Sequence, residues 1–194
     1  MAATWDHPVL GRFEHRDCMW TRTIAVPAFA AFTYGSARRG RELSTGTCDV
    51  SFEAYDEAEL PTAEAVARLD VVLARQHELV SMVTRVLWDD FNGRGPRSGM
   101  WWRNGLHSID GVNSVTEGLE DKDLPPLDGP DALLGWMRLS QIVTWNRDPE
   151  REKPLIELSF CAAFEDEHGV GVLTDGVSIV GLGYSCEVDP FDPE

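Results

Sequence analysis

A chain of 194 residues, 43% of them hydrophobic, is long enough to bury its own core as a single domain, residues 1–194, without metal or disulfide support. With 33 acidic against 17 basic residues and a net charge of −16, nucleic acid and anionic membrane are poor partners, because phosphate would be repelled by most of the surface; a basic protein suits it better. No apolar run approaches the roughly 20 residues needed to span a bilayer, and MAATWDHPVLGRF lacks the basic region and apolar core of a secretory signal, so a cytoplasmic protein is expected.

The first quarter reads as strands. Val9, Gly11 and Phe13 alternate with Leu10, Arg12 and Glu14; Trp20, Ile24 and Val26 share a parity until Pro27; and Ala28 to Tyr34 adds a short strand. Arg38, Arg39 and Arg41 then form a basic cluster, read as a solvated loop. Cys48, Val50 and Phe52 alternate with Asp49, Ser51 and Glu53 in a further strand. Cys18, Cys48, Cys161 and Cys186 include no CxxC pair and are expected to be reduced thiols.

Pro61-Thr62-Ala63-Glu64 opens a helix, with Thr62 as N-cap and Glu64 near the positive end of the dipole. The periodicity predicts one long amphipathic helix from Thr62 to about Phe91, its apolar stripe carrying Leu69, Val83 and Leu87 and its outer face Arg75, Glu78, Arg85 and Asp89. At 1.5 Å per residue it would be about 40 Å long and must lie across a sheet. Gln76 falls inside the stripe and therefore needs a hydrogen-bond partner. Asn92-Gly93 ends the helix.

Periodicity fails over residues 93–130, a glycine-, proline- and charge-rich loop insertion. It carries Trp101-Trp102-Arg103, residue types that anchor protein interfaces, and also His107 and Asp110. A short second helix follows from Asp128-Gly129-Pro130-Asp131 through Met137, then a strand from Gln141 to Trp145. Ile156, Leu158, Phe160 and Ala162 share one parity against Glu157, Ser159 and Cys161, a half-buried strand that starts a C-terminal β-meander. The meander turns at Glu165-Asp166-Glu167-His168-Gly169 and again at Thr174-Asp175-Gly176; the acidic, proline-broken tail is expected to be extended or frayed. Together these elements predict the α+β class, a mainly antiparallel sheet with the long helix packed on one face.

The Glu165 to Gly169 segment is the densest cluster of carboxylates and imidazole. Three acids beside His168 repel one another unless donors, water or a cation compensate. Two chemistries follow: a hard cation held by Glu165, Asp166 and Glu167, or acid–base work by His168 and Glu167, with His7, His107 or Asp110 completing the site. Neither is the preferred reading, in which no metal or cofactor is involved. The P-loop, GxGxxG, HExxH and GxSxG fingerprints are all absent.

The run Phe164 to Val172, followed by Val177 to Gly183, resembles the C-terminal signature of an uncharacterised bacterial domain-of-unknown-function family, in which an aromatic, acidic residues, E-H-G-x-G-V and a closing strand ending in V-G recur. His7-Pro8-Val9-Leu10-Gly11, Trp20 with Val26-Pro27-Ala28-Phe29, and Pro61-Thr62 resemble its other landmarks, so the similarity spans most of the chain. It departs at Phe164, where tryptophan is expected, and at the insertion. The resemblance implies a fold and no activity, although some relatives are suspected of immunity or toxin association. Two functions remain: an acidic protein that binds a basic protein, for example an immunity-type factor neutralising a toxin or effector, with Trp101, Trp102, Arg103 and Glu165, Asp166, Glu167, His168 in contact; or a hydrolase or metal-dependent enzyme centred on His168 and Glu167. The first is preferred.

Overall fold

The computed structural model describes residues 3–34, 46–96, 125–145, 154–185 and 187–191. Eight strands form one sheet: β1 (Thr4–His7), β2 (Gly11–Arg16), β3 (Met19–Ala25), β4 (Thr47–Glu53), β5 (Met137–Trp145), β6 (Leu155–Ala162), β7 (Glu165–Thr174) and β8 (Ile179–Tyr184). Their order in space is their order in the chain, and every neighbouring pair is antiparallel except β4 and β5. Parallel neighbours need a crossover. The segment between Glu53 and Met137 supplies it, and carries the helices α1 (Ala63–Ala74) and α2 (Gln76–Phe91). The fold is therefore α+β, with a mostly antiparallel sheet.

Where one helix from Thr62 to Phe91 is expected, there are two. The chain breaks at Arg75 (φ −108°, ψ 16°), whose N–H is shared between the carbonyls of Val71 and Val72. Tertiary contacts hold the break open. The Arg75 guanidinium, expected to face away, donates to the carbonyl of Gly176 in the β7–β8 turn at 2.9 Å. Gln76 finds its partners here, accepting from the N–H of Ala28 at 2.9 Å and donating to the carbonyl of Leu73 at 3.0 Å. The N-terminus is as read: the Thr62 side chain accepts from the N–H of Ala65. On either side of the break the apolar stripe is buried at spacings of three and four residues, with Ala65, Leu69 and Val72 in α1 and Leu79, Val83 and Leu87 in α2.

Two other segments differ from expectation. Pro27–Ala31 is a 3-10 helix and not a strand, since Pro27 has no N–H to give a ladder and its fixed φ suits a helical first residue. Pro130–Gly135 is likewise 3-10, and ends before Met137 because that residue already pairs with Ala162 as the first of β5. Strand β1 was not expected; its His7 ring Nδ1 accepts from the N–H groups of Val9 and Leu10 and so builds the β1–β2 turn.

The helix-covered face of the sheet carries the main core. Trp20, Phe52, Ile142, Leu158, Phe160 and Val172 lie there, all buried, against Leu69, Val83 and Leu87 from the helices. Strand β6 is not half-buried as its alternation suggests: Glu157 (1% exposed) and Ser159 on the opposite parity are buried as well. Part of the reason is the described part of the tail, residues 187–191, which lies on the sheet instead of fraying. Val188 packs on Gly171 and Gly183, Pro190 bridges Gly181, and the N–H of Phe191 donates to the carbonyl of Val180 at 2.7 Å.

Candidate functional site

The acidic cluster is not a turn. The chain reverses one step earlier, at Ala163-Phe164, and both residues are buried: the N–H of Ala163 donates to the carbonyl of Trp136, and the Phe164 ring meets Phe91 at 4.9 Å edge to face. Glu165 pairs with Ala162 and already belongs to β7, but the next ladder pair is Phe160 with Val170. Between these pairs β7 carries four residues, Asp166 to Gly169, opposite Cys161 alone, so the segment bulges. An apolar reversal is favoured because the end of the hairpin sits against the core, and the charges are displaced onto the bulge.

Inside the bulge Glu165 serves as an acceptor. Its Oε1 receives the backbone N–H of His168 at 3.1 Å and lies 3.2 Å from His168 Nδ1. The Glu165 side chain is 14% exposed and that of His168 48%, with the imidazole 4.9 Å from the Tyr184 ring. Gly169 has φ +73°, and a Cβ there would stand 2.5 Å from the carbonyl oxygen of Phe160. Glu167 points to solvent, and the Asp166 side chain lies outside the described residues. The cluster therefore resolves into one oriented carboxylate–imidazole pair. Among the described residues, no group of three or more His, Cys, Asp or Glu forms a metal-binding set. Ser185, whose N–H is bonded to the Gly169 carbonyl, turns its hydroxyl to Glu157 and not to His168. His7 is committed to its own turn. Trp101, Trp102, Arg103, His107 and Asp110 lie outside the described residues, as do Arg38, Arg39 and Arg41.

Three polar features were missed in the sequence. The first is Glu157, buried in mid-sheet, whose carboxylate accepts from Ser159 Oγ at 2.7 Å, Ser185 Oγ at 3.1 Å and Trp145 Nε1 at 3.1 Å. Three donors compensate the desolvation that a lone buried carboxylate would suffer. The only signal was a glutamate inside a strand of otherwise apolar neighbours. The second is an opening between β2 and β3 lined by Arg12, Arg16 and Arg22, which no linear motif joins. The third is the loop after β4, Ala54 to Leu60. It is tightly braced: Trp20 Nε1 donates to the carbonyl of Glu59 at 2.7 Å, the N–H of Tyr55 to Glu59 Oε2 at 3.1 Å, and the N–H of Ala58 to Asp56 Oδ1 at 2.7 Å. It nevertheless presents Tyr55 (66% exposed) and Leu60 (53%) among Asp56, Glu57 and Glu59. A hydrogen bond to Glu53, and then that carboxylate's charge, raise the Tyr55 phenol above its ordinary pKa, so it stays neutral.

Of the cysteines, Cys18 and Cys48 are free thiols, and Cys161 Sγ accepts from Arg138 Nη2 at 3.8 Å. Burial, helped by the charge of Asp49, pushes Cys48 up to about 12, whereas Cys18 is exposed at the β2–β3 turn. Since the thiolate is the nucleophile, an alkylation time course read by peptide mass spectrometry should label Cys18 first and leave Cys48 protected until denaturant is added. Equal labelling of the two in the native protein would contradict the burial of β4.

What these features define is a class by architecture: an α+β protein with one eight-stranded sheet, a helix pair across one face and polar groups gathered on the other. Compared with protein-family models, with curated proteins and with solved structures, the chain matches none. Among the described residues, no helix is long and apolar enough to cross a membrane.

Proposed function

We propose that this chain is a binding protein for a basic protein partner, acting in the manner of an immunity factor that masks a cationic effector. The observation that carries the reading is the loop after β4. Acidic loops are common as solvated surface, but this one is held rigid by Trp20 and Glu59 while two large apolar side chains, Tyr55 and Leu60, stand in solvent among three carboxylates. Rigid aromatic anchors lose little entropy on binding, and a surrounding field of one sign speeds the encounter with the other. The net charge of −16 extends that field over the molecule. Trp101, Trp102 and Arg103 are proposed as further anchors, and Glu165, Asp166, Glu167 and His168 as a further acidic contribution. A hydrolytic or metal-dependent role for His168 and Glu167 draws support only from the Glu165–His168 contact and is the lesser reading.

The test is capture from the native host, identification by mass spectrometry, and affinity measurement on the purified pair. The retained protein should be basic. Tyr55→Ala with Leu60→Ala, and separately Trp101→Ala with Trp102→Ala, should each weaken binding by about 2 kcal/mol while leaving the fold intact. Added salt should slow association more than it speeds dissociation. An acidic partner, no retained protein, or unchanged affinity in both double variants would sink the proposal.

A further inference from the structure

Strands β2 and β3 pair only from Glu14 to Arg16 against Thr21 to Met19. Beyond Glu14 toward its start β2 stays with β1, and beyond Thr21 toward its end β3 stays with β4, so residues 11–13 and 22–25 flank an opening outside the ladder. A cavity of about 300 Å³ lies there. Arg12, Arg16 and Arg22 line it with Glu14 and Asp49, and Thr21 and Thr23 complete the wall. Most of these groups have partners. Arg12 is paired with Asp6 at 3.1 Å, Arg16 with Glu14, and the Thr23 hydroxyl donates to Asp49. Counting Asp6, the charges around the opening balance, in a chain that carries −16 overall.

Arg22 stands apart. Its guanidinium donates from Nη1 to the carbonyl of Arg12 at 3.1 Å, its Nε is buried without an acceptor, and it forms no ion pair among the described residues. Gly11, at φ +81°, makes room for it: a Cβ there would lie 2.4 Å from Arg22 Nη1. The guanidinium is thus laid against the backbone of β2 and held before any ligand arrives. A positioned guanidinium with an unused buried donor, at the mouth of a cavity, is suited to an oxygen anion, because planar N–H donors match carboxylate and phosphate geometry. The volume is at the small end of ligand sites.

We propose that this opening binds the carboxylate or phosphate group of a small polar molecule, with Arg22 as the anchoring residue. Arg12 and the threonine hydroxyls bound the site, while Glu14 and Asp49 disfavour large polyanions. This site is independent of the protein-binding surface proposed above. The test is thermal unfolding of the full chain with inorganic phosphate and, separately, succinate, each against chloride at matched ionic strength. One of the two should give a saturable rise in Tm, and which one does so tells phosphate from carboxylate recognition. Arg22→Gln should weaken the fitted affinity by about tenfold or more. Should that variant fail to fold, the wild-type protein decides by NMR: the Arg22 Nε–Hε and Gly11 amide resonances should move with the same saturation curve. No saturable effect beyond chloride, an unchanged effect in Arg22→Gln, or stationary Arg22 and Gly11 resonances would overturn it.

Discussion

Val83→Asp should destabilise the protein by about 3–5 kcal/mol, a large part of the 5–15 kcal/mol by which such a domain is folded. Val83 is wholly buried near the middle of α2, with Leu79 one turn before it and Leu87 one turn after on the same inward face. A carboxylate there gains no cation: Arg85 is exposed on the outer side of α2, and the arginines at its ends are occupied, Arg75 with Glu78 and the carbonyl of Gly176, Arg94 with Asp89. Protonation would relieve the charge but leave a polar group among apolar side chains. Glu78→Ala is the comparison. Glu78 is 61% exposed and its pairing with Arg75 is a surface one, so the change should stay within roughly half a kcal/mol. Urea unfolding of both variants gives the answer, and equal midpoints would mean that the inward face of α2 is wrongly assigned.

That face could be read from the sequence because an apolar stripe records burial directly. The same is true of β4, where Cys48, Val50 and Phe52 alternate with Asp49, Ser51 and Glu53, and of the general α+β arrangement. What could not be read is set by tertiary contacts. Nothing in Ala74-Arg75-Gln76 disfavours helix, so the break at Arg75 has no local cause; it depends on the carbonyl of Gly176 and the N–H of Ala28, about a hundred and about fifty residues away in the chain. Likewise the alternation in β6 shows which residues share a face but not that a tail will cover the other one. Glu157 was therefore placed toward solvent when it is buried under three donors.

The candidate sites follow the same division. Glu165 and His168 are neighbours in sequence and do meet, but their setting was misjudged, since density of charge suggested a solvated turn and the reversal is made instead by Ala163 and Phe164. The opening at Arg22 is assembled from β2, β3 and β4 and leaves no linear signal. The loop after β4 was not singled out in the sequence, because the bond from Trp20 to Glu59 that braces it joins residues that only the fold brings together.

Gly169→Ala should cost about 3 kcal/mol, the largest effect expected of any single methyl group at the bulge. Two terms contribute. The left-handed backbone, φ +73°, costs a residue with a Cβ about 1–2 kcal/mol relative to glycine. The Cβ would also stand 2.5 Å from the carbonyl oxygen of Phe160, a backbone atom in β6 that is fixed by the ladder on both sides and cannot yield as a flexible side chain would. Relief is available only by opening the bulge, which would draw His168 off Glu165 and loosen the bond from Ser185 to the Gly169 carbonyl. Gly129→Ala controls for the loss of glycine's flexibility in the unfolded chain: its backbone is extended and nothing lies within 4 Å of the new Cβ, so stability should hold or rise slightly. Urea midpoints compare the two variants, and the NMR resonances of the His168 ring report whether the bulge has opened. If Gly169→Ala matched Gly129→Ala in stability, with the His168 ring undisturbed, the segment could not be the constrained bulge described, and the pairing of Glu165 with His168 would lose the backbone that sets it.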